Sequence, residues 1–115
     1  FPGALKLFID LLPFPDAFDG RPVSFIGLSA GAGGAVRPVE QLQMVFAYRN
    51  ACLFNRRVFL PRVGSLLNGD GSLADEDISR RLREQAEGFE AFVSGLTGAG
   101  LRPGNKSAAA TTKEA

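Results

Sequence analysis

The sequence predicts an α/β fold built on parallel strands, and three observations support this. Segments with apolar residues at helical spacing alternate with short apolar runs. Pro, Gly or Asn residues bound each short run, and a stretch of small residues follows the first run directly. Such alternation implies parallel strands joined by right-handed crossovers. Ligands bind at the carboxyl ends of the strands in sheets of this kind, so the small-residue stretch is the first place to look for a site.

The first predicted helix begins at Pro2, because proline suits the first turn of a helix. Apolar residues follow at helical spacing, and Pro13 ends the run. Residues 13–21 are rich in turn formers and are predicted to be a loop. The mostly apolar run 22–28 is predicted to be a buried strand of the parallel type. The apolar positions of this helix are Leu5, Phe8, Ile9 and Leu12.

The small-residue loop 29–35 leads into a second predicted helix over about 38–50. We expect this helix to end at Asn50, because asparagine can adopt the left-handed conformation that commonly ends a helix. A second strand is predicted over 58–60, with the apolar residues 52–54 just before it. One face of this helix is formed by Val39, Leu42, Val45, Phe46 and Arg49.

A turn is predicted at 68–71, followed by Ser72 and Asp75 at the spacing of a capping box. The third helix is amphipathic and is predicted to end near residue 96. Residues 97–115 are rich in Gly, Ala, Thr and Lys, and we expect a disordered tail there. The predicted domain therefore spans 1–96. The apolar side of the third helix consists of Ile78, Leu82, Phe89, Phe92, Val93 and Leu96.

Composition excludes several classes of function. The 115 residues suffice for one small domain, and 13 basic against 12 acidic side chains leave a net charge of +1. This balance gives no reason to expect binding to nucleic acid or to an anionic membrane. The single cysteine, Cys52, excludes an internal disulfide and fits a reducing, cytoplasmic compartment. The absence of histidine removes the commonest general base and the commonest zinc ligand.

The small-residue loop fails both nucleotide-binding fingerprints, because the final glycine of G-x-G-x-x-G is missing and no Gly-Lys-Ser/Thr follows. The segment 27–31 does satisfy G-x-S-x-G, with Ser29 in the place of a hydrolase nucleophile. No histidine is present to complete a triad, and Asp70 is the sole candidate partner for a Ser-Asp dyad. A serine hydrolase is thus a remote alternative. The turn at 68–71 resembles the start of a calcium loop, but Leu73 and Ser79 occupy the required Gly and Glu positions.

Five segments, in order, resemble motifs of the NAD(P)H-dependent FMN reductase family, which includes quinone, chromate and azo-dye reductases. They are P-G-A-L-K with I-D at 2–10, G-R-P-V at 20–23, the small-residue loop with R and Q-L at 29–42, V-F-L-P-R at 58–62 and G-S-L-A-D-E at 71–76. The resemblance covers residues 1 to about 96.

The resemblance implies a flavodoxin-like three-layer sandwich with a parallel sheet, of which this chain is an N-terminally truncated portion holding the last two strands and three helices. It implies FMN and NAD(P)H as cofactors, and hydride transfer to a quinone or another small-molecule acceptor. No catalytic side chain or metal is expected, because the flavin supplies the redox chemistry. The family's second flavin-contacting loop maps onto Leu28, Ser29, Ala30, Gly31 and Gly33.

The resemblance also implies a homodimer or tetramer, formed partly through the helices at 3–12 and 38–50. The family's other flavin loop and its FMN-phosphate loop would lie before Phe1, so we expect residues 1–115 alone to fold poorly and to bind FMN weakly or not at all. Leu7, Leu11 and Val58 stand where the family has Asn, Trp and usually Glu. A non-enzymatic flavodoxin-like fragment that serves as an association module is the alternative.

Overall fold

The computed structural model describes residues 1–104. Helices and short parallel strands alternate in this range, which agrees with the α/β class expected for a flavodoxin-like fold. None of the helices in these residues combines the length and the apolar character that spanning a bilayer requires. The elements are α1 (Gly3–Leu11), β1 (Pro22–Val23), β2 (Ile26–Leu28), α2 (Val36–Tyr48), β3 (Cys52–Leu53), β4 (Val58–Leu60), a 3₁₀ helix (Val63–Leu66) and α3 (Glu76–Gly98).

The predicted strand 22–28 is divided into β1 and β2, whereas the predicted strand 58–60 is observed as β4 and part of the apolar run before it forms β3. β1 pairs with β3, and β2 pairs with β4, both in parallel. Pro22 pairs with Cys52, and Ile26 pairs with Val58. The chain moves four positions from β1 to β2 but six positions from β3 to β4. Two additional residues therefore lie between β3 and β4, and they interrupt the ladder as a bulge does.

The side chain of Gln85 fills this interruption. It lies on α3 and is 3% exposed. Its Nε2 atom donates to Phe25 O at 2.7 Å, to Arg56 O at 3.0 Å and to Ser24 Oγ at 3.1 Å. These oxygens belong to the two segments that separate the strand pairs. One amide of α3 thus supplies hydrogen bonds where the ladder supplies none, as buried carbonyl groups require.

Helices cover opposite faces of the β2–β4 pair. Val58 and Leu60 are buried in a cluster with Ile78 of α3. Side chains alternate along a strand, so Gly27 and Phe59 lie on the other face. There they pack against Gly34, at the start of the chain that leads into α2. This helix–sheet–helix layering is consistent with the three-layer sandwich that the family resemblance implies.

Arg49 fastens α1 to the end of α2. Its guanidinium is buried, with Nη1 donating to Ile9 O at 2.6 Å and Nη2 donating to Leu12 O at 3.2 Å. It also lies over the Phe18 ring, 4.9 Å from the centroid. The carbonyl groups at the end of a helix lack partners within it and carry partial negative charge. Arg49, predicted from its spacing to share the inward face of α2, therefore acts as a capping group for α1.

Two predicted helix starts differ from the structure. α2 begins at Val36 rather than near 38, although Asn50 does adopt the predicted left-handed conformation, with φ of 64°. α3 begins after Asp75, whose carboxylate accepts from the backbone of Asp77 and Ile78, so the predicted cap at Ser72 was wrong. The Ser72 hydroxyl instead donates to Asp70 Oδ1 within the preceding turn. The Ser72 hydroxyl is therefore engaged in a local turn and does not cap the helix.

The end of the chain is described only in part. α3 continues through Gly98, two residues beyond the predicted boundary at 96. The backbone N–H of Gly104 donates to Asp19 O at 2.9 Å, so this segment returns to the loop after α1. The remainder of the predicted tail, 105–115, lies outside the described residues.

Candidate functional site

The small-residue loop lies at the carboxyl end of β2, beside the carboxyl end of β4. Three backbone hydrogen bonds join it to the last residue of β4 and to the chain that follows. Ser29 N donates to Leu60 O at 3.2 Å, Arg62 N donates to Gly31 O at 2.8 Å, and Val63 N donates to Ser29 O at 3.0 Å. Because β2 and β4 are parallel, both chain segments leave the same edge of the sheet. This is the edge at which ligands bind in open α/β sheets.

Ser29 shapes the loop from within. Its hydroxyl donates to Gly31 O at 2.8 Å and accepts from Gly34 N at 2.8 Å. These two bonds close the loop on itself across five residues. The predicted site residue Ser29 therefore has a local structural role, and its hydroxyl proton is directed at the loop backbone.

The base of the loop requires glycine. A Cβ atom on Gly27 would overlap the carbonyl oxygen of Gly34 and would lie 2.8 Å from the Phe59 ring. Gly34 has φ of 62°, a conformation that residues with a side chain seldom adopt. Because the two glycines pack closely, the loop lies directly against β2, and this contact fixes the position of the loop relative to the sheet.

The rim of the loop is open. Gly31 and Gly33 have no atom within 4 Å of the position that a Cβ would occupy, and Ala30 is exposed as well. The amide N–H groups of residues 30–33 donate no hydrogen bond within the part of the chain that the structure describes. Leu28, the last residue of β2, is 56% exposed although it is apolar. The predicted residues Leu28, Ala30, Gly31 and Gly33 thus form one accessible surface above Ser29.

This surface fits the expected flavin. A flat ring needs close approach to backbone, which residues without large side chains allow. The polar edge of an isoalloxazine ring needs hydrogen-bond donors, and the amide groups of residues 30–33 are available. The apolar part of the ring needs an exposed apolar contact, which Leu28 offers.

The geometry does not support the hydrolase alternative. A nucleophile elbow holds its serine on a sharp, strained turn, whereas Ser29 is not among the residues with positive φ. The hydrogen bond from the Ser72 hydroxyl, with further bonds from the backbone, lowers the pKa of the Asp70 carboxyl. A lowered pKa weakens a general base. The bonds of Ser29 to Gly31 and Gly34, described above, also leave its hydroxyl without a base.

Three positions that depart from the family pattern fall into two environments. Val58 is 2% exposed within the core between β4 and α3, so an apolar residue suits it. Leu7 and Leu11 lie on the outer face of α1 and are 62% and 76% exposed. Compared with the family pattern, Leu7 and Leu11 therefore make the exposed surface of α1 more apolar, whereas Val58 adds an apolar side chain to the core.

Sequence reasoning did not select Arg62 as a site residue. It follows β4 immediately after Pro61, and its backbone contacts the candidate loop at Gly31. The sequence feature that could have indicated Arg62 was its position at the end of the V-F-L-P-R motif. Only the parallel pairing of β2 with β4 places that motif beside the loop, and the pairing depends on contacts distant in sequence.

Comparison with known proteins identifies the family. The family model described as NADPH-dependent FMN reductase matches residues 1–65. The match covers more than half of the chain and includes α1, the four strands, α2 and the candidate loop. A search of curated proteins finds no significant match. FMN and NAD(P)H are the cofactors that this family implies. The fold and this match agree, and the chain belongs to the NADPH-dependent FMN reductase family.

Proposed function

We propose that the protein transfers hydride from NAD(P)H through FMN to a quinone or a similar small-molecule acceptor. The family gives the reaction class of a flavin-dependent oxidoreductase. The observation that carries the proposal is the open rim of the loop at residues 28–33, at the carboxyl edge of two parallel strands. Its amide groups have no partner within residues 1–104. The shape of this rim suits a flat ring that must also be reached by a second substrate.

FMN, when bound, supplies the redox chemistry, and the protein positions it. The amide groups of residues 30–33 would orient the polar edge of the ring and would favour negative charge there. Leu28 would contact the bound ring and would exclude water from one side of it. Ser29 keeps the loop in shape through its bonds to Gly31 and Gly34. No side chain has to transfer a proton in this scheme.

The test uses a side chain placed where the structure has open space. Gly31 has φ outside the left-handed region, and no atom lies within 4 Å of the position that its Cβ would take, so Gly31→Leu should fold normally. The leucine would occupy the space above the loop and weaken FMN binding by about tenfold, or ~1.4 kcal/mol. Gly95→Leu on α3 is the matched control, because Gly95 has equally open surroundings.

The protein is produced from its complete coding sequence, and FMN binding is followed by quenching of flavin fluorescence. Equal FMN affinity in the wild type and Gly31→Leu would contradict the proposed site. A folded wild type that shows no flavin absorbance and no NADPH oxidation would favour the alternative, a non-enzymatic association module.

Self-association is part of the proposal, and the apolar outer faces of α1 and α2 support it. Exposed side chains on these helices include Leu7 at 62%, Leu11 at 76%, Met44 at 73% and Tyr48 at 78%. Apolar patches of this kind mark interfaces. We propose that a second copy covers them in a homodimer or tetramer. Leu11→Glu should reduce the mass measured by light scattering, and Ala91→Glu, an exposed site on α3, should not.

A cytoplasmic location also belongs to the proposal. Cys52 is a free thiol on β3, and NAD(P)H is the expected reductant. Both fit a reducing compartment. Fractionation of cells that express a tagged protein would test this expectation.

A further inference from the structure

Arg62 occupies a distinctive place beside the candidate loop. It is the second residue after β4, and its N–H donates to Gly31 O at 2.8 Å. Its own carbonyl oxygen accepts from Ser65 N at 2.9 Å and from Ser65 Oγ at 2.8 Å. The backbone of Arg62 is therefore held on both sides, while its side chain is exposed.

The backbone of Arg62 is in the left-handed region, with φ of 47° and ψ of 49°. Residues other than glycine, asparagine and aspartate rarely adopt this conformation, and such strain concentrates at functional sites. Glycine would adopt it without strain. The presence of a long cationic side chain in this strained conformation points to a role for the guanidinium.

Arg62 is also electrostatically isolated. No charged residue lies between Arg21 and Arg37, and none other than Arg62 lies between Arg57 and Asp70. Arg62 therefore contributes the one charged side chain of the two segments that leave β2 and β4 at the site edge. Within residues 1–104 it forms no ion pair, in contrast to Arg37, which pairs with Glu40 at 2.8 Å. A positive charge that is exposed and unpaired at a ligand-binding edge attracts anions.

We propose that Arg62 binds a phosphate group of the reduced nicotinamide dinucleotide, and that its preferred partner is the 2′-phosphate that distinguishes NADPH from NADH. This inference rests on the proposed function. A dinucleotide that delivers hydride to a ring held by residues 28–33 must extend past the edge of the loop. Arg62 contacts that loop through Gly31, and guanidinium groups bind phosphate through paired hydrogen bonds.

The test combines kinetics with a binding measurement that needs no flavin. Arg62→Gln should raise KM for NADPH about tenfold, as expected for loss of a charge-assisted bond, with kcat and KM for NADH unchanged. Arg62→Lys should recover part of the loss. Arg81→Gln, an exposed site on α3 with the same change of charge, should leave both KM values unchanged. In calorimetric titration of the flavin-free protein, Arg62→Gln should weaken the binding of adenosine 2′,5′-bisphosphate and leave the binding of AMP unchanged.

The remaining outcomes separate the hypotheses. Equal increases in KM for NADPH and NADH, with weaker ADP binding, would overturn the assignment to the 2′-phosphate and would place Arg62 at the pyrophosphate instead. Unchanged KM values and unchanged binding of all three nucleotides would refute the role of Arg62, while flavin reduction by the wild type would leave the proposed function standing. If the wild type oxidises no NADPH, the proposed function fails and the nucleotide titrations alone decide the role of Arg62.

Discussion

Replacement of Gln85 by methionine tests how the two strand pairs are joined. Methionine has nearly the same length and volume but no amide donor. The substitution keeps the packing of α3 and removes all three hydrogen bonds from Nε2. We therefore expect the loss of stability to measure the polar contacts at the interruption of the ladder.

The magnitude follows from the burial of the acceptors. The bond to Phe25 O is buried, so its loss should cost about 1–3 kcal/mol, the penalty for an unsatisfied buried group. The bonds to Arg56 O and Ser24 Oγ are only partly buried. Water can replace part of each, and about 0.5–1 kcal/mol apiece is reasonable. The expected total is about 3 kcal/mol, a large part of the ~5–15 kcal/mol that stabilises a domain.

Urea denaturation followed by circular dichroism measures this difference in the free energy of unfolding. Glu87→Met, on the exposed side of the same helix, is the control and should change stability by less than about 0.5 kcal/mol. Similar stability of Gln85→Met and Glu87→Met would show that the amide does not bridge the strand pairs. A loss near 3 kcal/mol in the control as well would show that methionine disturbs α3 generally.

Three further predictions concern single residues. Gly27→Ala forces a side-chain carbon onto Gly34 O, so we expect a loss of about 1–3 kcal/mol in thermal or urea unfolding and weaker FMN binding; an unchanged Tm would contradict the packing at the loop base. Asp75→Ala removes the cap of α3 and should cost about 1 kcal/mol, whereas Asp75→Asn should retain most of it. The pKa of Asp70 is lowered by the Ser72 hydroxyl, so its contribution to stability is present above the pKa of the unfolded chain and is lost as pH falls through the folded value. Asp70→Asn should therefore make unfolding less dependent on pH in the acid range, and an identical pH profile in this variant would refute the effect.

The order of elements could be predicted because it depends on local patterns. Helical spacing of apolar residues and short apolar runs involve only neighbouring positions, and Asn50 ends α2 as its side chain suggests. The cap of α3 was misplaced for an equally local reason. Ser72 and Asp75 both suit a cap, and only the competing bond from Ser72 to Asp70 decides between them.

The division of the strands was beyond sequence reasoning because a distant residue makes it possible. The run 22–28 looks continuous, and the acceptors at Ser24 and Phe25 find their donor on Gln85, about sixty positions away along the chain. The candidate loop could be located in sequence, since glycine and alanine dominate it. The neighbouring Arg62 could not, since only strand pairing brings residues 60–63 to that loop.

The outer edge of β2 has a consequence for handling the protein in solution. Within residues 1–104, β2 pairs on one side only, with β4, and its Ile26 and Leu28 are 51% and 56% exposed. An apolar strand with free backbone groups is a template for further strands, and proteins usually protect such edges with charge. Concentrated or warmed samples of residues 1–115 alone should therefore aggregate through β2. Ile26→Lys would place a charge on this edge and should reduce aggregation of these residues.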